Sequence, residues 1–132
     1  MRGRDARRRG DAAAAREAFS AAVELCPSFV EARLGLGLVQ LRDDAPRAIA
    51  TLRAGLPFAP RGRRRRILLE ALGEAQLLGG DLAGADGSLT EAAALPGAAA
   101  ELWLRIARLR ARTQRYAESL GAFAQAAALR RG

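Results

Sequence analysis

Leu72 to Pro96 reads LGEAQLLGGDLAGADGSLTEAAALP, and its layout decides the fold. A Leu-Gly pair opens it, Gly79-Gly80-Asp81 interrupts it, Ala85, Leu89 and Ala92 follow, and Pro96 closes it. Residues at i, i+4 and i+7 share one helix face. Leu89 is therefore a large knob between two flat spots, where a neighbouring helix docks only if those spots stay small. Leu72 and Gly73 give the partner helix its own knob and a point of close approach. Glycine followed by aspartate suits a helix stop and a new N-cap, and proline cannot continue a helix interior. The stretch predicts a helical hairpin.

The same layout recurs outward in both directions. Ala15, Phe19 and Ala22 precede Pro27; Ala48, Leu52 and Gly55 precede Pro60; Ser119, Phe123 and Ala126 form the last copy, and successive copies lie 33, 37 and 34 residues apart. The upstream pair returns as Leu36-Gly37 and Ile106-Ala107, at spacings of 36 and 34, and Gly3 stands 34 before Gly37. Inner turns are expected at Gly10-Asp11, 43–46, 79–81 and 113–115. Helices follow near 12–26, 30–42, 46–57, 66–78, 82–94, 99–113 and 116–130, with a frayed piece before residue 9. Phe19 and Phe123 are expected to be buried within their own pairs.

These residues resemble the tetratricopeptide repeat family. The fourth unit matches best, through Trp103, Ile106, Ala107, Tyr116, Ser119, Phe123 and Ala126; the first matches through Gly10, Asp11, Ala15, Phe19, Ala22 and Pro27. The likeness covers nearly the whole chain, as one domain with units near 1–28, 29–60, 66–97 and 99–131. It departs from the family where the first unit lacks the front of its first helix. In the second unit Arg33 replaces the usual aromatic and the inner turn is one residue short. A longer loop, Arg61 to Arg65, precedes the third. The resemblance implies an all-α, right-handed superhelical stack of about four hairpins, an α-solenoid with its first unit truncated. It also implies a concave groove, lined by first helices, that binds a protein or peptide.

By that analogy the groove is lined by Leu34, Leu38, Leu41 and Arg42, then Glu70, Glu74 and Leu77, then Leu104, Arg105, Arg108 and Arg112. It would run from apolar through acidic to basic. Arginine forks pair two-pronged with carboxylates, so an acidic ligand is favoured. Family members that clamp a C-terminal carboxylate use asparagine, and this chain has none. At the other end, Leu120, Ala124 and Ala127 form an apolar face on helix 116–130 that a further helix would normally cover. Weak self-association or partner docking is expected there.

Composition narrows the chemistry. Half the residues are apolar, and alanine, the best helix former, is abundant; the net charge is +8, with all 22 cations arginine and no histidine or lysine. The usual bases at neutral pH are missing, and Cys26 has no histidine to activate it. Asp43-Asp44 reads as an N-cap, and Gly79-Gly80-Asp81 as a turn lacking the spacing of a phosphate loop. No catalytic, cofactor or metal site is therefore expected, and the chain is not read as an enzyme. No run of about 18 apolar residues suggests a membrane span. No secretory core is seen, and a cytoplasmic location is the default.

Two arginine runs remain, Arg7 to Arg9 and Arg61 with Arg63 to Arg66. The second stands at a helix N-terminus, where cations oppose the dipole at roughly 0.3–1 kcal/mol each. Neither run carries aromatics for base stacking, which disfavours nucleic acid. The leading expectation is a protein-interaction scaffold. The alternatives are a nucleic-acid or polyanion binder acting through the arginine clusters, and a regulatory or accessory module of an enzyme encoded elsewhere.

Overall fold

The computed structural model describes the backbone of residues 2–113 and 116–131, and the side chains of residues 10–113 and 118–131. Its elements are α1 (Arg2–Leu25), α2 (Val30–Gln40), α3 (Ala45–Gly55), a 3-10 turn (Leu56–Phe58), α4 (Arg63–Leu78), α5 (Leu82–Ala93), α6 (Ala100–Arg112) and α7 (Tyr116–Arg131). No strand occurs among the described residues. Helices α2/α3, α4/α5 and α6/α7 form three hairpins, and each packs on the helix before it.

The inner turns follow their sequence signals. Asp44 caps α3, its carboxylate accepting from the Arg47 N–H at 3.1 Å, and Asp81 caps α5 by accepting from Gly84 N–H at 2.9 Å. Asp43 instead meets Arg16 at 2.6 Å, joining α1 to the end of α2. Gly80 takes a positive φ of 83° at the α4–α5 turn, which suits a residue without Cβ.

The turn expected at Gly10-Asp11 is absent: α1 runs through it unbroken. One helical glycine costs only about 1 kcal/mol relative to alanine, and the alanines at 12–15 favour continuation. The first unit is thus a single helix ahead of three hairpins. Phe19 consequently has no hairpin partner. Its half-buried ring sits over Gly35 of α2, where a Cβ would fall 2.5 Å from Cε1.

Inside the complete hairpins the knob-on-glycine arrangement is literal. A Cβ on Gly37 would lie 2.5 Å from Leu52, and one on Gly73 would lie 2.7 Å from Leu89. Both leucines are at most 1% exposed. The fourth unit departs from this: its knob, Phe123, is 42% exposed, and Ser119, Ala122 and Ala126 carry the buried face instead. Ala107 holds a Cβ where the other units have glycine, and phenylalanine is larger than leucine, so the ring does not nest there.

A polar ladder accompanies the knobs. The Thr51 hydroxyl donates to Gln40 Oε1 and the Ser88 hydroxyl to Gln76 Oε1, both at 2.6 Å. Both glutamines are buried, so the bonds satisfy groups that are costly to leave unpaired. The glutamines are 36 residues apart and their partners 37, so this pair is part of the repeat. In the fourth unit Arg110 replaces glutamine and Ala122 replaces the hydroxyl. Arg110 turns back to α5, its Nε donating to Asp86 Oδ2 at 3.1 Å and its Nη2 to Asp86 Oδ1 at 3.2 Å and Thr90 Oγ1 at 3.0 Å.

Candidate functional site

Helices α2 and α4 meet directly, whereas contacts of similar extent are absent between α1 and α3 and between α3 and α5. First helices therefore touch directly at α2 and α4, but not to that extent at α4 and α6; their shared side is the one where a groove wall is expected.

The wall repeats position by position. Leu38, Glu74 and Arg108 stand at spacings of 36 and 34 and are all exposed; so are Arg42, Leu78 and Arg112. Leu34, Glu70 and Leu104 share a third register position, and Leu41, Leu77 and Ala111 a fourth, all half-buried. Helices α2, α4 and α6 thus present equivalent faces. One row reads apolar, acidic, basic. The other reads basic, apolar, basic, because Leu78, 64% exposed, belongs to it. Leu78 was missed in the sequence because it sits beside the glycine turn. Its signal was the same 36-residue spacing from Arg42.

The proposed lining residues divide into two groups. Leu34 and Leu41 pack against the core around Leu52 and Leu68, and Leu77 against the core around Leu89, so they anchor the wall more than they present it. Glu70 lies 3.7 Å from Arg66 one turn earlier. Glu74, Arg108 and Arg112 are exposed with no ion pair among the described residues. Glu101, a candidate partner for the α6 arginines, pairs with Arg130 at 3.7 Å instead.

Two clefts lie among these positions. One of about 440 Å³ is bounded by Asp11, Ala12 and Ala15 of α1 and by Leu38, Val39 and Arg42 around the end of α2. A second, of about 220 Å³, is lined by Glu74, Leu77, Leu89 and Arg105. Arg105 does not share the register of Arg108 and Arg112. It occupies the position of Gly35 and Ala71, which faces the preceding helix, and α6 meets α5 less extensively than α4 meets α3. The Asp86–Arg110 pair, 11% and 14% exposed, spans the same seam and ties it shut further along. That pair was not foreseen, because it replaces the ladder glutamine and so breaks the repeat.

The Arg61–Arg66 run is largely engaged within the protein. Arg65 Nη1 donates to the carbonyls of Leu56 and Ala59, at 2.9 and 3.1 Å, in and just after the 3-10 turn that follows α3, and its Nη2 meets Glu91 at 3.2 Å. Arg64 meets Glu31 at 2.9 Å. These bonds join successive units and offset the unfavourable helix dipole. Arg7 to Arg9 lie outside the described side chains.

At the far end, Leu120 is 71% exposed, Ala124 and Ala127 are exposed, and Phe123 joins them. Among the described residues no three of His, Cys, Asp and Glu gather as a metal site, and no helix is long and apolar enough to cross a membrane.

The chain matches no protein-family model. No curated protein matches it in sequence either. Solved structures do match. A crystal structure of MamA aligns with a TM-score of 0.80 at 19% identity, covering 93% of this chain and 71% of that one. MamA residues 41 to the end, from Desulfovibrio magneticus RS-1, align with a TM-score of 0.78 at 20% identity, covering 92% and 68%. A further MamA structure gives 0.79 at 19% identity, covering 97% and 69%. At such identities the likeness is one of fold: an all-helical, tetratricopeptide-like repeat solenoid.

Proposed function

We propose that this chain is a protein-interaction scaffold, holding a peptide or partner helix along the exposed faces of α2, α4 and α6. The observation that carries this reading is the pair of register rows, Leu38–Glu74–Arg108 and Arg42–Leu78–Arg112. Residues repeated on successive helices, kept out of the core and left without ion pairs among the described residues, are placed to contact one continuous ligand. Leucines 38 and 78 offer apolar contact to such a ligand. Arg108 and Arg112, one turn apart on α6, offer two forks to carboxylates. The favoured ligand is therefore an apolar segment with acidic residues toward the α6 end. The solenoid fold shared with the MamA structures is compatible with a scaffold role.

The polyanion alternative is weakened because Arg64, Arg65 and Arg66 have protein partners. Fluorescence anisotropy with labelled leucine–glutamate peptides, against leucine–lysine peptides of equal length, tests the choice. The acidic set should bind, and Arg108→Glu with Arg112→Glu should weaken it by tenfold or more. Binding reduced instead by Arg61→Glu with Arg63→Glu would overturn the groove reading in favour of a polyanion surface.

A further inference from the structure

Eight large apolar side chains are exposed among the described residues. Leu38 and Leu78 belong to the groove rows, and Leu120 and Phe123 lie along α7. The other four, Leu25, Phe29, Phe58 and Leu129, stand at one end of the stack, where α1, α3 and α7 finish and α2 and α4 begin. Leu25, 87% exposed, and Phe58 are one repeat apart, at the same spacing of 33 as Ala22 and Gly55. Side chains tie this end together. Arg33 Nε donates to the Pro27 carbonyl at 2.6 Å, its Cδ lies 3.3 Å from the Cβ position of Gly55, and Arg64 meets Glu31. The opposite end holds the inner turns with Asp43, Asp44 and Asp81, and of the eight only Leu78 reaches its margin.

Charge at this end is unbalanced. Its acids Glu31, Glu91 and Glu101 are already paired, with Arg64, Arg65 and Arg130. Arg61 and Arg63 are exposed and have no ion pair among the described residues, which leaves Glu24 as the unpaired acid against them. We propose that this end rests on an anionic lipid surface, with Leu25, Phe29 and Phe58 entering the headgroup region and Arg61 and Arg63 meeting lipid phosphates. Apolar burial and attraction to anionic lipid act together in interfacial binding, and guanidinium forks suit phosphate oxygens. Leu25 and Phe29 project from one turn and Phe58 from the next, as separate tips. A fluid surface accepts separate tips, whereas a folded partner would need a surface shaped to each.

The contact is peripheral. No described helix is long and apolar enough to cross a membrane, and three side chains entering the interface give weak, reversible binding. The net charge of +8 draws the chain toward a negative surface, and salt should weaken that attraction. Each cation near such a surface raises affinity about fivefold. This inference does not rest on the groove reading, since the rows of α2, α4 and α6 lie along helix faces and not at this end.

Co-sedimentation with vesicles of equal parts phosphatidylglycerol and phosphatidylcholine, against phosphatidylcholine alone, reads the outcome. The protein should pellet with the anionic vesicles only, and less at high salt. Phe29→Ser with Phe58→Ser should weaken binding tenfold or more, and Arg61→Glu with Arg63→Glu by about twentyfold or more; Arg108→Glu with Arg112→Glu should weaken it less than either. Cys26, exposed between Leu25 and Phe29 and the chain's only cysteine, accepts a fluorophore. On anionic vesicles that label should be quenched by lipids with brominated chains. The same label on Arg42→Cys in a Cys26→Ser background, toward the opposite end, should not. A wild type that ignores the anionic vesicles would leave this end to an acidic protein or to water and overturn the proposal. Binding that survives Phe29→Ser with Phe58→Ser would overturn it as adsorption by charge alone, and equal quenching at 26 and 42 would overturn it by placing the contact elsewhere. If the serine variant lost helix content, the two labels would still decide.

Discussion

Replacing Gly73 with alanine sets two effects of opposite sign against each other. Alanine is the better helix former, by about 1 kcal/mol. Yet the new methyl would lie 2.7 Å from Leu89 Cγ and Cδ2. Leu89 is 1% exposed in the core shared by α5 and α6, so it has little room to give, and overpacking of this kind costs about 1–3 kcal/mol. The net change is then about 0–2 kcal/mol destabilising. Gly87 supplies the control: it lies within α5, and a Cβ there meets nothing within 4 Å, so Gly87→Ala gains up to about 1 kcal/mol from propensity alone. The two variants should differ by about 1–3 kcal/mol in urea denaturation at equal m-value. Leu89→Val should cost less in the Gly73→Ala background than in the wild type, the coupling expected of neighbours. A Gly73→Ala variant as stabilised as Gly87→Ala would refute the knob-on-glycine packing that defines the hairpins.

Further outcomes follow from the buried polar groups and small residues. Asp86→Ala leaves Arg110 without its carboxylate in a nearly buried site and should cost about 3–5 kcal/mol; Asp86→Ala with Arg110→Met should recover part of it in the same denaturation assay. Ser88→Ala strands the Gln76 side chain and should lower stability by about 1–3 kcal/mol, whereas Gly121→Ala, at an open helical site, should gain up to about 1 kcal/mol. Ala85→Leu, at a site with 0% exposure, should destabilise by about 1–3 kcal/mol through overpacking, read as a lower thermal midpoint.

The hairpins were legible in the sequence because their signals are joint. A glycine under a leucine, two flat spots and a capping aspartate recur in phase, and each has one structural meaning. What was not legible came from competition between signals. Gly10-Asp11 carries the turn pattern of Gly80-Asp81, but a single glycine among alanines is too weak to break α1. Phe123 carries the knob pattern, but Ala107 fills the socket that Gly37 and Gly73 leave open. The arginine run looked like a ligand surface because its partners, the Leu56 and Ala59 carbonyls with Glu31 and Glu91, belong to other elements. The candidate groove residues stand at repeated positions of α2, α4 and α6, with Arg105 at the position of Gly35 and Ala71. Leu78 and the Asp86–Arg110 pair are visible in the sequence only after the register is fixed.

Ligand binding along the rows shared by α2, α4 and α6 is open to a direct experiment. Titrating ¹⁵N-labelled protein with the tightest-binding leucine–glutamate peptide, and following amide shifts, tests it most directly. A continuous track of perturbed amides is expected at Leu38, Arg42, Glu74, Leu78, Arg108 and Arg112, with α3 and α5 little changed. Shifts confined to the Arg61–Arg66 edge, or spread over α3 and α5 while the six row residues stay unmoved, would contradict it.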